Sequence, residues 1–208
     1  MSVKQQVFYI HGGESFLNYQ VFLDRLRTKG IWDLPGEESE GRWIDTLQTD
    51  LGPEYEVFRP QMPNKQNAKY DEWKLWFERH FEYLRDDIIL IGYSLGAMFV
   101  SRYLIENKLP FRLKAVFIMA SPVRMSGFDD TDCADFMFDL DQASNISAQT
   151  DQVYLLHSQD DFVVPYEHSL AYKKALPEAE LITFTDKNHF LIPVFPEIVA
   201  KIKEVAGK

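Results

Sequence analysis

The sequence predicts an α/β fold, in which helices cover both faces of a six-stranded parallel sheet. Strand-like and helix-like segments alternate along the 208 residues, as they do when a helix links each parallel strand to the next. The strand-like segments are continuously apolar instead of alternating in polarity, which is typical of strands buried on both faces. A sequence that is 46% hydrophobic and 26% charged is ordinary for a globular protein. Since no repeat or linker divides it, we predict one domain over residues 1–208.

Six segments have the length and composition of buried strands. They span residues 7–11, 55–60, 88–93, 113–120, 153–157 and 180–185. The remaining regular segments repeat apolar residues at helical spacing. They span residues 18–29, 42–51, 71–84, 95–108, 166–176 and 196–206.

Two segments interrupt this alternation. Residues 33–41 are acidic and rich in turn-forming residues, and we predict a surface excursion there. Residues 121–142 separate two strands by more than a crossover helix needs, and long insertions are often functional lids. We therefore predict a small cap-like insertion over the site around 121–142. Four apolar side chains of this insertion either line an acyl pocket or pack within the cap: Phe128, Phe136, Met137 and Phe138.

The net charge and the cysteine content restrict the classes of binding partner and the cellular compartment that we expect. The formal net charge of -10 is spread along the chain, which argues against nucleic acid or an anionic membrane surface as a partner. The single cysteine, Cys133, excludes an intramolecular disulfide and favours a reducing compartment. The first residues have no apolar stretch typical of a secretory signal, and no segment approaches the roughly 20 apolar residues of a membrane span. We predict a cytoplasmic protein, and the sequence leaves a protein partner unknown.

The segment Gly92-Tyr93-Ser94-Leu95-Gly96 has the pattern G-x-S-x-G between a predicted strand and a predicted helix. In a nucleophile elbow, the serine occupies this tight turn and its hydroxyl projects from the edge of the sheet. Side chains two positions before and after the serine would collide with neighbouring backbone, which explains Gly92 and Gly96. The Leu95 amide, at the start of the helix, can donate to an oxyanion. We predict that Ser94 is a nucleophile.

A serine hydroxyl is a poor nucleophile until a positioned base removes its proton. After a nucleophile elbow, the acid and then the histidine follow along the chain. His189 lies in a short loop after the last predicted strand, and two aspartates, Asp160 and Asp161, follow the strand at 153–157. Because the carboxyl ends of parallel strands share one edge of the sheet, these groups can converge on Ser94. The residues alone do not decide between the two aspartates.

The first predicted strand runs into His11-Gly12-Gly13. Glycines there let the backbone approach a ligand and free an amide as a second oxyanion donor, although they also suit a tight turn. The sequence has no cluster of histidines and cysteines, no H-E-x-x-H motif and no phosphate-binding loop. We therefore predict neither a metal nor a cofactor.

These motifs, "HGG", "GYSLGA", "HSQDDFVVP" and "DKNHF", resemble those of α/β-hydrolases, and most of all small serine hydrolases of the retinoblastoma-binding-protein-nine type and their bacterial relatives. The resemblance selects Asp161 by its distance from Pro165. It implies that Ser94 is the nucleophile, His189 the base and Asp161 its orienting partner. The amides of Leu95 and Gly13 would form the oxyanion hole, with Glu14 as the alternative to Gly13.

The resemblance also implies a reduced hydrolase sheet, with strand order 2-1-3-4-5-6. The expected activity is cleavage of a carboxylic ester or thioester of a small substrate through an acyl-enzyme, as in carboxylesterases of class EC 3.1. Two alternatives stay open. One is a serine peptidase or amidase, and the other is a binding or scaffold protein without catalytic activity, because fold alone does not fix function.

Overall fold

The computed structural model describes residues 3–31, 41–125, 129, 131–150 and 152–207. The strands are β1 (Gln5–Ile10), β2 (Tyr55–Phe58), β3 (Ile88–Tyr93), β4 (Leu113–Met119), β5 (Val153–Ser158) and β6 (Glu180–Phe184). The helices are α1 (Tyr19–Thr28), α2 (Trp43–Leu51), α3 (Tyr70–Glu78), α4 (Leu95–Glu106), α5 (Ser144–Ser147), α6 (Glu167–Ala175) and α7 (Pro196–Ala206). Within the described part of the chain, none of the helices is both long and apolar enough to cross a bilayer.

All six strands are parallel, in the order β2-β1-β3-β4-β5-β6 across the sheet. This confirms both the predicted architecture and the strand order that the resemblance implied. Near the end of β3, Gly92 pairs with Ile10 of β1 and with Ile118 of β4, so these strands end at one edge. The chain continues from β1 to one side of the sheet and from β3 to the other, which leaves a crevice between the loops that follow them.

Two hydrophobic cores form because successive residues of a buried strand point to opposite faces of the sheet. Phe8 and Leu90 belong to the core that α3, α4 and α6 cover. Val7 and Ile89 belong to the core that α2 and α7 cover. Each fully buried side chain of this size contributes about 1.5–3 kcal/mol to folding. The continuous apolar runs of the central strands follow from this burial on both sides.

The prediction of burial on both faces is wrong for β6. Its residues are only half-buried, and Glu180 and Thr183 are exposed. The reason is its place in the sheet: among the described strands β6 pairs with β5 alone, at one edge. An edge strand has one open side, whatever its own sequence.

The helix predicted over residues 71–84 is shorter in the structure. After α3 the chain tightens into a 3-10 turn at Phe81–Tyr83. In this turn the Phe81 ring packs edge-to-face on Phe77 and on Phe111, with ring centroids 5.0 and 5.2 Å apart. Such aromatic pairs favour this geometry and stabilise the tightened turn over a continued helix.

The described residues of segment 121–142 pack partly onto the core shared by α3 and α4. Phe136 and Phe138 are buried there, so of the two interpretations of these side chains the structure shows packing. Phe128 lies outside the described residues. So do residues 33–40, where a surface excursion was predicted.

Candidate functional site

Ser94 occupies the turn between β3 and α4 in a strained backbone conformation. Its φ is 55° and its ψ is -123°, in the region that residues with side chains rarely adopt. Strain of this kind costs of the order of 1–3 kcal/mol and persists only where the surroundings hold it. Here the Ser94 amide donates to the carbonyl of Met119 at 2.9 Å, which fixes the turn to the end of β4.

The two glycines of the turn leave no room for a side chain. A Cβ on Gly92 would lie 2.7 Å from the Ala97 Cα, and a Cβ on Gly96 would lie 2.3 Å from the carbonyl oxygen of Ile10. These contacts are with backbone, which cannot move aside without disturbing the sheet. Because Gly92 and Gly96 have no side chains, α4 starts directly against the end of β1. As a result Ser94 lies beside the loop that follows β1.

His189 lies in the loop after β6, held from both sides. Its neighbours Asn188 and Phe190 have positive φ values of 42° and 53°, and Phe190 is buried. The Tyr93 hydroxyl donates to the His189 carbonyl oxygen at 2.6 Å. This anchoring brings His189 Nε2 to 3.1 Å from Ser94 Oγ.

Asp161 contacts the other ring nitrogen of His189, with 2.8 Å between Nδ1 and Oδ2. Its Oδ1 accepts from the amides of Val163 and Val164 at 2.8 and 2.9 Å. Burial alone would raise the pKa of the Asp161 carboxyl, but hydrogen bonds from His157 and His189 outweigh it and hold this pKa well below its ordinary range. Because an ionised carboxylate only accepts, Nδ1 of His189 carries a hydrogen and Nε2 is left to accept from Ser94.

Asp160, the other candidate for the acid, has a different set of partners. Its Oδ1 accepts from the Ser158 hydroxyl at 2.5 Å and from the Asn188 amide at 2.9 Å. These bonds join the loop after β5 to the loop after β6. In the structure, therefore, Asp161 contacts the His189 ring, whereas Asp160 bonds the backbone amide of the neighbouring Asn188.

His157, near the end of β5, also contacts the site. Its Nε2 lies 3.3 Å from Asp161 Oδ2 and 2.9 Å from the Val164 carbonyl oxygen. Both are acceptors, so Nε2 carries the hydrogen, and Nδ1 accepts from the Ser169 hydroxyl at 2.5 Å. A histidine four residues before Asp161 was the one available sequence signal for this contact.

The amides expected to form an oxyanion hole differ in whether they already donate a hydrogen bond within the protein. Leu95 is the first residue of α4, where an N–H has no partner within the helix. In the part of the chain that the structure describes, neither the Leu95 nor the Gly13 N–H donates to a protein acceptor. The Glu14 amide donates to the Lys65 carbonyl at 2.8 Å. Of the two alternatives for the second donor, Gly13 has the free amide.

A cavity of about 680 Å³ opens above these groups, and Ser94 and His189 both line it. Its lining includes side chains from the loops after β1, β2, β5 and β6 and from segment 121–142. The charged lining residues are Arg25, Lys29, Arg42, Arg59, Lys65, Glu14, Asp45, Asp129 and Asp132. The apolar residues of the lining include Val163, Val164 and Leu191. The sequence did not indicate this concentration of charge around Ser94.

Solved structures of other proteins have the same fold as this chain. A family model described as serine hydrolase matches residues 34–193, more than half of the chain. The ydeN gene product from B. subtilis is similar over 99% of this chain and 100% of its own, with a TM-score of 0.74 and 18% identity. Est1E from Butyrivibrio proteoclasticus is similar over 99% of this chain and 90% of its own, with a TM-score of 0.59 and 18% identity.

A third similar structure is a meta-cleavage product hydrolase from Pseudomonas fluorescens IP01. It is similar over 99% of this chain and 92% of its own, with a TM-score of 0.63 and 14% identity. The search among curated proteins found no match. These likenesses confirm the α/β-hydrolase fold that the motifs indicated, whereas the finer resemblance to the retinoblastoma-binding-protein-nine type stays a prediction.

Proposed function

Because the chain belongs to the serine hydrolase family, we propose that it hydrolyses a carboxylic ester or thioester of a small substrate, with Ser94 as the nucleophile. The observation that carries the proposal is the hydrogen-bonded series from Asp161 through His189 to Ser94, with 2.8 and 3.1 Å between the bonded atoms. Such a series activates a hydroxyl that is otherwise a weak nucleophile. The activity is that of a carboxylesterase.

In the first half of the reaction, Ser94 Oγ attacks the substrate carbonyl while His189 Nε2 takes the hydroxyl proton. Asp161 holds the Nδ1 hydrogen and stabilises the imidazolium that forms. The negative charge on the former carbonyl oxygen is stabilised by the amides of Leu95 and Gly13. His189 then gives its proton to the leaving group as the bond to that group breaks, and the acyl group stays on Ser94.

In the second half, water replaces the leaving group. His189 Nε2 takes a proton from the water as its oxygen attacks the acyl carbonyl, and returns that proton to Ser94 Oγ when the acid product leaves. Side chains of Asp132 and Cys133 line the cavity, which supports segment 121–142 as a small cap over the reacting atoms. The cytoplasmic location stays a proposal from the sequence.

The test is turnover of 4-nitrophenyl esters of increasing acyl length by the wild type and by Ser94→Ala. We expect a folded variant with no detectable turnover, since no other hydroxyl contacts His189 Nε2 among the described residues. Ser147→Ala is the matched control, because Ser147 is exposed on α5, and it should match the wild type. Wild-type turnover by Ser94→Ala would show that the nucleophile is assigned wrongly.

A fluorophosphonate probe separates the alternatives. An activated serine reacts covalently with it, so the wild type should be labelled at Ser94 and the Ser94→Ala variant should not. A wild type that neither turns over esters nor takes the label would be a binding protein on a hydrolase fold. Labelling without ester turnover would favour a peptidase or amidase.

A further inference from the structure

We propose that the substrate carries an anionic group, a carboxylate or a phosphate, and that the cavity binds this group through Arg42, Arg59 and Lys65, here called the basic wall. This inference rests on the proposed hydrolase function, because it names the substrate class of the same site. The basic wall is formed by the start of α2 and by the residues that follow β2, on the β1–β2 side of Ser94.

The charge of the cavity differs from that of the chain. The whole sequence has 22 basic and 32 acidic residues, an excess of acid. Of the described residues that line the cavity, five are basic and four are acidic. Among the described residues the lining has one more cation than anion, and in a chain with a net charge of -10 this favours anions at the cavity over the rest of the surface.

Two of the five cations share one carboxylate. Glu14 accepts from Arg25 at 2.7 Å and from Lys29 at 2.5 Å. Burial raises the pKa of the Glu14 carboxyl, but hydrogen bonds from Lys29 and Arg25 outweigh it and hold the pKa below its ordinary value, so Glu14 is charged at neutral pH. This group of three keeps one positive charge beside the loop that follows β1.

The cations of the basic wall have fewer carboxylate partners than Arg25 and Lys29 have in Glu14. Arg59 Nη1 donates to the Ile44 carbonyl at 2.5 Å and lies 3.3 Å from Asp45 Oδ1. Within the described residues, no Asp or Glu carboxylate lies within 4.0 Å of the Arg42 guanidinium or the Lys65 ammonium. Among the described residues, the three cations of the basic wall therefore have one carboxylate as a partner, and an anionic substrate group would supply a second.

The remaining acidic residues lie elsewhere in the cavity, on segment 121–142. Asp129 accepts from the Thr131 amide and hydroxyl, and these bonds lower its pKa. Asp132 accepts from the Cys133 thiol at 3.4 Å. The Asp132 carbonyl accepts from the Ser15 amide, so this part of the segment lies beside the loop that follows β1 and is separate from the residues of the basic wall.

The basic wall lies near the reacting atoms. Burial raises the pKa of the Tyr93 hydroxyl, and the nearby charge of Arg42 acts against that rise. The same hydroxyl donates to the His189 carbonyl at 2.6 Å. Arg42 and Ser94 line the same cavity, so one substrate can place an anionic group at Arg42 and an ester carbonyl at Ser94.

The loops after β5 and β6, across Ser94 from the basic wall, contribute apolar side chains to the cavity. Val163 and Leu191, in the loops after β5 and β6, line it and are 47% and 40% exposed. Ser94 lies between the two sides, because β3 lies between β1 and the strands β4 to β6. This arrangement fits an ester with an anionic group on one side of the carbonyl and an uncharged, apolar group on the other.

The first experiment compares kcat/KM for ester pairs that differ by one charge. 4-Nitrophenyl hydrogen adipate and 4-nitrophenyl hexanoate have acyl groups of equal chain length, and 3-carboxy-4-nitrophenyl hexanoate places the charge on the leaving group. After correction for spontaneous hydrolysis, we expect about a tenfold preference for the anionic ester in one pair. The preference should decrease as KCl is raised. Benzoate and phenyl phosphate as competitive inhibitors, with phenol as the uncharged control, distinguish carboxylate from phosphate.

The second experiment removes the basic wall. In Arg42→Gln/Arg59→Gln and in Lys65→Gln, the ratio of anionic to neutral turnover should fall several-fold toward one. Arg112→Gln is the matched control: Arg112 is exposed, binds Asp87 at the start of β3, far from the cavity, and its loss should leave the ratio unchanged. Circular dichroism and thermal melting check that the variants fold.

The outcomes separate this inference from the proposed function. A wild type that hydrolyses both members of each pair equally, or prefers the neutral ester, overturns the anionic subsite and leaves the hydrolase intact. A ratio that survives loss of the basic wall also overturns it. A wild type that hydrolyses no ester and takes no fluorophosphonate label overturns the proposed function, and the subsite with it.

Discussion

His189 and His157 both contact the Asp161 carboxylate, but His189 lies at the cavity and His157 lies in the buried interior. His189 lies in the loop after β6, between two residues with positive φ, and its Nε2 faces Ser94 at the cavity. His157 is the fifth residue of β5 and is fully buried. Its two ring nitrogens are engaged by Ser169 on one side and by the carbonyl of Val164 on the other.

The difference shows what a general base requires beyond a carboxylate partner. A histidine acts on substrate only if one ring nitrogen is free to accept a proton at the reacting atoms. His189 meets that requirement, whereas both nitrogens of His157 are engaged, and its one Nε2 hydrogen is shared between the Val164 carbonyl at 2.9 Å and Asp161 at 3.3 Å. We therefore expect His189 to act in the reaction and His157 to act by positioning Asp161.

The largest effect on activity should come from His189→Gln. The glutamine cannot take a proton from Ser94, so we expect kcat/KM for a 4-nitrophenyl ester to fall by about 1,000-fold or more. Steady-state kinetics on the purified variant measures this. His168→Gln is the comparison, since His168 accepts from the Val123 amide and does not line the cavity, and it should lose far less activity. Equal losses in the two variants would contradict the assignment of the base.

Asp161→Asn should follow closely, with a fall in kcat of about 1,000-fold, because an amide can favour the wrong tautomer of His189. Its matched control is Asp160→Asn. Asp160 contacts the Asn188 amide and not the His189 ring, so a loss below about tenfold is expected. If Asp160→Asn proved the more damaging variant, the acid would have to be reassigned.

The same aspartate should make stability depend on pH. The pKa of Asp161 is lower in the folded protein than in the unfolded chain, where it is about 3.9. Its contribution to the free energy of unfolding is therefore present above the unfolded pKa and is lost as the pH falls toward the folded one. Urea denaturation of wild type and Asp161→Asn from pH 5 toward pH 2 should show their difference shrinking. A difference that stays constant would mean that this carboxylate is not stabilised by its partners.

The Ser94 turn could be predicted because its geometry is local. The steric need for Gly92 and Gly96 lies within a five-residue pattern, and the following helix completes the signal. The sheet could be predicted for a similar reason, since burial on both faces appears in the composition of each central strand. The exposure of β6 could not be predicted from its own residues, because an edge position depends on the order of all the strands, which only the resemblance implied.

The contacts of the acid could not be read from the residues alone because they are set at long range. Asp160 and Asp161 both follow β5 directly, and the loop after β6 decides which carboxylate meets the His189 ring. The contact of His157 with Asp161 depends on how the chain turns between them. A histidine at the end of a buried strand looks the same in sequence whether it packs or donates to a carboxylate.

Substitution of His157 should reduce turnover less than His189→Gln or Asp161→Asn does, but more than a change at Tyr93. In His157→Leu the Asp161 carboxylate loses a donor, and we expect kcat to fall by about tenfold, KM to change little, and stability to fall by about 1–3 kcal/mol. His157→Gln keeps a donor near the position of Nε2 and should restore part of kcat. The Leu variant should also lose less stability between pH 5 and pH 2, because the pKa of Asp161 is then less depressed. A purely structural role for His157 would move stability alone.

The smallest effect on turnover should come from Tyr93→Phe, which tests whether the backbone of the loop after β6 also positions His189. The Tyr93 hydroxyl donates to the His189 carbonyl at 2.6 Å, and its ring centroid lies 5.2 Å from that of His189. Phenylalanine keeps the ring and leaves a buried carbonyl without its donor, so we expect a loss of about 1–3 kcal/mol in stability. Because the bond from Asn188 to Asp160 and the buried Phe190 ring still hold the loop, kcat should fall only a few-fold. A larger fall in kcat than in His157→Leu would reverse the ranking, since the backbone anchor would then position the base more strongly than the second donor to its carboxylate.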